Sequence, residues 1–128
     1  MKVRFFDPGR GYLKIKDEID AEMQRVLATG DLILRADVEK FEENLANFVG
    51  TKYAVGLSSG TDALVLSLKA LGIGRGDEVI TTAHTFKSTI GSIVHTGAKP
   101  VFVDIENDGL ADIRDIYSAI TDRTKSII

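Results

Sequence analysis

Ser58-Ser59-Gly60-Thr61-Asp62-Ala63-Leu64 follows a short apolar run, Tyr53-Ala54-Val55-Gly56-Leu57, and opens an apolar-periodic stretch, 61–71, that stops at Gly72. The run reads as a short buried strand and the stretch as a helix, so the segment is a strand-to-helix turn. Such a turn aims unpaired backbone N–H groups, and the partial positive charge of a helix start, at whatever lies in front of it. Gly60 lets an anion approach the backbone, and Ser59 and Thr61 carry hydroxyl donors, which suits a phosphate. An ordinary N-cap by Ser59 or Thr61 is the competing explanation, because Ser and Thr are preferred at helix starts.

Downstream, Thr82-Ala83-His84-Thr85-Phe86-Lys87-Ser88-Thr89 repeats the architecture, with a strand expected over 78–82 and a helix over 86–95 that tolerates Gly91. Phe86 then falls at the carboxyl end of a strand. In open α/β sheets ligands collect in the crevice beyond those ends, so Phe86 is either a platform in a pocket shared with the Gly60 turn or an ordinary core residue. Lys87, in the first turn of a helix, reads as a solvated surface residue.

Working outward, strands at 53–57, 78–82, 100–104 and 125–128 alternate with helices at 61–71, 86–95 and 113–120. Short glycine-containing links between them imply an α/β fold with a mostly parallel sheet and flanking helices. Asp112 caps the last helix, whose Ile113, Ile116, Tyr117 and Ile120 step by three and four. Residues 1–50 differ: they carry two helical patterns and no strand, forming an N-terminal helical arm ahead of the α/β part at 51–128. Leu13, Ile15, Ile19, Met23, Val26 and Leu27 make one amphipathic helix ending near Gly30. After Leu32-Ile33-Leu34, Asp37 caps a second, striped by Val38, Phe41, Leu45 and Phe48 and closed by Gly50. Such stripes are core or subunit contact. The chain ends on Lys125-Ser126-Ile127-Ile128, which reads as a strand start truncated within a fold.

The 128 residues, 44% hydrophobic and 27% charged, match one ordinary folded domain. A net charge of −3 without a basic stripe argues against nucleic acid as a partner. No apolar run approaches the ~20 residues that span a bilayer, so no membrane partner is expected. Without cysteine there is no disulfide or thiolate metal site, and Met1-Lys2-Val3-Arg4-Phe5-Phe6-Asp7 lacks the apolar core of a signal peptide, so the cytoplasm is the expected compartment. His84 and His95 have no third ligand near them, and Asp104, Glu106, Asp108 and Asp112 lack the spacing of a calcium loop around the Asn107-Asp108-Gly109 turn, so no metal is expected. A dinucleotide fingerprint is absent after 53–57, since Gly72-Ile73-Gly74-Arg75-Gly76 follows a helix.

Taken in order, these residues resemble a family: the DegT/DnrJ/EryC1/StrS-type sugar aminotransferases, which use pyridoxal 5'-phosphate (PLP) on nucleotide-linked keto-sugars within the aspartate-aminotransferase-like fold. The resemblance rests on Phe41-Glu42, Gly50, Tyr53-Ala54-Val55-Gly56, Ser59-Gly60-Thr61-Asp62-Ala63-Leu64, Leu71-Gly72-Ile73-Gly74 and Gly76-Asp77-Glu78-Val79-Ile80. It continues through His84-Thr85-Phe86, Gly97-Ala98-Lys99-Pro100-Val101-Phe102-Val103-Asp104-Ile105, Ala119-Ile120-Thr121 and Thr124-Lys125. It implies that Gly60, Thr61 and Asp62 bind the cofactor phosphate, chiefly through backbone amides, and that Phe86 stacks on the pyridine ring. Residues 51–128 would be the first part of the PLP-binding large domain. The resemblance further implies a nucleotide-sugar substrate, an amino-acid amino donor such as glutamate and a homodimer, with Gly30 and Leu32-Ile33-Leu34 near the sugar nucleotide.

Thr82-Ala83 and Lys87 depart from the family pattern at places that remove no implied cofactor contact. The family's Schiff-base lysine and its partner for the pyridine nitrogen lie beyond position 128, so this chain implies no catalytic residue of its own. A sugar dehydratase of the same superfamily, with histidine in place of that lysine, and a non-catalytic truncated scaffold or assembly module are the alternatives.

Overall fold

The computed structural model describes residues 4–30, 32–33 and 35–128. The chain divides into two compact units, Met1–Gly56 and Leu57–Ile128.

The first unit is helical: α1 (Pro8–Lys14), α2 (Lys16–Thr29) and α3 (Ala36–Val49). The single amphipathic helix expected from Leu13 onward is interrupted at Ile15 (φ −127°, ψ 20°), and a separate α1 precedes the break. Asp7 accepts from Arg10 N–H and Pro8 opens α1, which is why a segment with two glycines still turns helical. Ile15 N–H donates back to Tyr12 O at 3.0 Å, closing a tight last turn, and Tyr12 Oη donates to Asp20 Oδ1 at 2.7 Å across the break. Gly30 (φ 66°) and Gly50 (φ 80°) end α2 and α3 in the left-handed region, as expected of C-terminal glycines.

Asp37 does not cap α3. The N-cap is Arg35, and Asp37 lies in the first turn, paired with Arg25 (2.9 Å) and Arg35 (3.3 Å). A carboxylate there still meets the favourable end of the helix dipole. Ala46 is the one buried hydrophobic residue of this unit among the described residues, whereas Met23, Leu27, Phe41 and Phe48 are exposed. Leu34 of the Leu32-Ile33-Leu34 run lies outside the described residues.

The expected strand at 53–57 is not formed. A strand exists through its ladder, and no described segment pairs with this one. Its polar groups turn instead to neighbouring side chains: Gly56 N–H donates to Glu42 Oε1 at 2.6 Å, and Thr51 Oγ1 to Tyr53 O at 3.0 Å. Val55 is left 74% exposed.

The second unit runs α4 (Gly60–Ala70), β1 (Glu78–Thr82), α5 (Lys87–Thr96), β2 (Lys99–Val103), α6 (Ile113–Ala119) and β3 (Thr124–Ile127). The strands form a parallel sheet in the order β2-β1-β3, flanked by helices. β1 pairs with β2 from Glu78 opposite Lys99 to Thr82 opposite Val103, and with β3 through Val79 opposite Ser126 and Ile80 opposite Ile127. Being central, β1 is buried nearly throughout, which its Val-Ile-Thr-Thr run suits. Leu68 of α4, Ile73, Val79 of β1, Ile93 of α5 and Ala98 form the core. Gly72 (φ 74°) and Gly97 (φ 86°) turn the chain out of α4 and α5 toward β1 and β2.

At the amino end of β1, Glu78 is buried (3% exposed) yet fully partnered. Thr121 Oγ1 donates to Oε2 at 2.7 Å, Arg123 Nη2 to Oε1 at 2.9 Å, and Lys99 Nζ stands 3.5 Å away. The Thr121 hydroxyl first, then Arg123 and Lys99, hold its carboxyl below the usual range against the cost of burial. This cluster ties β1, β2 and the segment entering β3 at the end of the sheet opposite to the β1–α5 turn.

Candidate functional site

At the carboxyl end of β1 the chain bends through Ala83, His84 and Thr85 to Phe86, the N-cap residue of α5 (φ −69°, ψ 140°). Phe86 is 71% exposed, so it is not a core residue of this unit. Its backbone is nevertheless fixed, because Phe86 O accepts from Thr89 N–H at 2.9 Å. Thr85 and Thr89 share a hydroxyl hydrogen bond of 3.0 Å, and Ser92 Oγ donates to Thr89 O at 2.8 Å, so the first turn of α5 is held by three polar contacts. Lys87 is exposed at the first position of α5.

The other turn opens α4. Ser59 is its N-cap, and Ser59 Oγ accepts from Asp62 N–H at 3.1 Å. The Asp62 carboxylate in turn accepts from the Ser58 and Ser59 hydroxyls. Donation by Ser58, and next by Ser59, holds the Asp62 carboxyl below the usual range. The cap expected from the serine is therefore present, closed reciprocally by Asp62 three residues on. It takes the Asp62 amide and leaves others: the first N–H groups of a helix have no intrahelical acceptor, and among the described residues those of Gly60 and Thr61 meet none elsewhere. Capping and an open donor pair thus coexist in one turn.

Gly60 has no conformational need to be glycine. Its φ is not positive, and a Cβ built on it would meet nothing within 4 Å. The space such a Cβ would fill lies beside the two free N–H groups. That is the form of a cradle for an anion brought close to the backbone, and the donor set fits a phosphate.

Thr61 Oγ1 donates to Ser88 Oγ at 2.8 Å across 27 residues of sequence. This contact brings the first turn of α4 to the first turn of α5, and so brings the Gly60–Thr61 amides and the exposed Phe86 ring into one neighbourhood. Ser59, Thr61 and Asp62 stood out in the sequence, but the hydrogen bonds of Ser58 and Ser59 to the Asp62 carboxylate, and the Thr61–Ser88 contact, did not. A serine inside a helical pattern carries no distinguishing signal, and the register between α4 and α5 comes only from packing.

One polar group here is unsatisfied. Thr81 Oγ1 is buried without a hydrogen-bond partner among the described residues, on the face of β1 it shares with Val79. The acidic residues after β2 are engaged locally: Asp104 Oδ1 accepts from Ile105 N–H (2.8 Å), Asp108 Oδ1 from Leu110 N–H (2.9 Å) and Asp112 Oδ1 from Arg114 N–H (2.8 Å). They build the turn at Gly109 (φ 84°) and the cap of α6. No helix among the described residues is long and apolar enough to cross a membrane.

The chain is 46% identical over 127 residues to the UDP-2-acetamido-2-deoxy-3-oxo-D-glucuronate aminotransferase of Pseudomonas aeruginosa, covering 98% of this chain and 35% of that protein. The crystal structure of DesV from S. venezuelae superposes with a TM-score of 0.95 at 40% identity, over 98% of this chain and 34% of that one. NtdA from Bacillus subtilis, solved with bound cofactor PMP, superposes with a TM-score of 0.85 at 36% identity, over 89% of this chain and 26% of that one. The chain thus spans about a third of the length of the curated relatives it matches. Since the family model of the DegT/DnrJ/EryC1/StrS aminotransferases matches residues 13–128, which take in most of the first unit, the whole second unit and both turns, the chain belongs to that family.

Proposed function

We propose that this chain supplies part of the cofactor site of a PLP-dependent aminotransferase that converts a nucleotide-linked keto-sugar into an amino-sugar, with an amino acid such as glutamate as donor. The observation that carries the reading is the pairing of an anion cradle with an exposed aromatic ring, drawn together by the Thr61–Ser88 hydrogen bond. The Gly60 and Thr61 amides would hold the cofactor phosphate, Asp62 would lock the turn that presents them, and Phe86 would cover one face of the pyridine ring. Bound there, the cofactor supplies the electron sink for amino transfer, while this chain's residues bind and orient it. The chemical amine is not assigned to any residue here. Lys87 is exposed at the first position of α5.

The reading is supported by the names of the relatives, which act on nucleotide-linked sugars, and by the cofactor-bound neighbour. It extends to a homodimer, for which the apolar faces exposed on α2 and α3 offer surface, and to the cytoplasm, where nucleotide sugars and amino acids meet. The test is to titrate the intact protein with PLP and then supply glutamate and a UDP- or dTDP-linked keto-sugar. A visible absorption band on PLP binding and an amino-sugar product by mass are expected. Binding with loss of a sugar hydroxyl and no nitrogen gained would mean dehydration instead, and absence of binding would overturn the cofactor reading.

A further inference from the structure

We infer that Ser88 is a positioning residue that sets the distance between the phosphate-binding turn and the ring-bearing turn, acting through the hydroxyl of Thr61. The inference rests on the cofactor reading above and adds to it a residue assigned neither to the phosphate nor to the ring.

Thr61 and Leu68 are seven residues apart on one face of α4, and Ser88 and Ser92 are four apart on one face of α5. Leu68 is buried against Ile93 in the core, so the helices are fixed to each other along their lengths by apolar packing. Apolar packing tolerates small slides, because dispersion contacts are numerous and undirected. At the open end, the directed contact recorded between the two first turns is the 2.8 Å Thr61–Ser88 hydrogen bond. Both residues are half-buried, which shelters the bond from water.

Thr61 also carries one of the two free backbone amides. Its side chain and its amide belong to one residue, so anchoring the hydroxyl on Ser88 fixes where the amide stands. Phe86 is two residues before Ser88, with its carbonyl bonded to Thr89 N–H, so Ser88 moves with the turn that presents the ring. A cofactor gripped at its phosphate by one turn and at its ring by the other needs that separation held, and the Thr61–Ser88 contact holds it. Ser92 makes the contrast: it lies on the same face of α5, but its hydroxyl bonds within its own helix, to Thr89 O at 2.8 Å.

The experiment measures binding of PLP, and of pyridoxal, which lacks the phosphate, to the intact protein and its Ser88→Ala, Ser88→Thr and Ser92→Ala variants. Induced circular dichroism of the bound cofactor at saturation is recorded alongside. Ser88→Ala is expected to weaken PLP roughly three- to tenfold, the effect of one hydrogen bond, while leaving pyridoxal within about twofold and altering the dichroism. Ser88→Thr restores the hydroxyl and is expected to restore both readouts. Ser92→Ala, a structural control, lowers the melting temperature without changing the ratio of the two affinities. Wild-type binding of PLP with an unchanged ratio and dichroism in Ser88→Ala would overturn the role of Ser88 alone. No PLP binding by the wild type would overturn the cofactor reading and this inference with it.

Discussion

Both units of this chain carry apolar patterns, and they use them in opposite ways. In the second, Val79, Ile80 and Ile93 are fully buried between a parallel sheet and its helices. In the first, α3 carries the apolar stripe Val38, Phe41, Leu45 and Phe48, yet every one of these is exposed and Phe48 is so by 89%. Among the described residues, exposed ion pairs such as Arg25 with Glu22 and Asp37 link parts of the first unit, and each contributes little. Periodicity identifies the face that needs cover and is silent on what covers it.

The sharpest way to break this comparison is mutation of matched apolar residues. Ile93→Ala should destabilise the protein by about 2–5 kcal/mol, read by chemical denaturation, because it opens a cavity at the centre of the core. Phe86→Ala should leave stability nearly unchanged and weaken PLP binding roughly two- to tenfold by titration, the scale of one aromatic contact. Thr81→Val should raise stability by about 1 kcal/mol, since it removes a buried hydroxyl with no partner. Phe48→Ala should fall within about 0.5 kcal/mol of wild type. A loss as large as that of Ile93→Ala would show the α3 face to be covered, erasing the contrast.

A pH series sharpens the same comparison at its smallest effect. The Glu78 carboxyl is depressed in the folded state, so its pairing contributes fully above the unfolded value, about 4.3, and is lost as pH falls through the lower folded value. Stability should therefore drop in acid below about pH 4, and Glu78→Gln should flatten that slope while lowering stability at neutral pH. An unchanged slope would mean that the buried cluster is not what titrates.

Much of the second unit was legible in the sequence because its signals are local. The β-branched run at Glu78–Thr82, the glycine after α4 and the Asp112 cap each state their structure within a few residues. Tyr53–Leu57 failed for the opposite reason: its composition suits a strand, but a strand needs a ladder partner, and partners are not local. The interruption at Ile15 was invisible because the apolar spacing runs through it, and the Arg35 cap because the backbone, not a favoured capping side chain, ends the helix there. At the site, Gly60, Thr61 and Phe86 were legible as turn residues. Ser88 was not, since its meaning lies in a contact made 27 residues away.

On the proposed cofactor reading, the Gly60 turn is shaped for a phosphate rather than for the fold. The most direct measurement compares Gly60→Ala with wild type in the intact protein, for thermal stability and for affinity toward PLP and pyridoxal. A Cβ at Gly60 meets no neighbour in the structure, and alanine favours a helix over glycine by about 1 kcal/mol. Unchanged or raised stability is expected, with PLP affinity reduced about tenfold and pyridoxal affinity unaffected. Equal affinity of wild type and Gly60→Ala for PLP would contradict that reading.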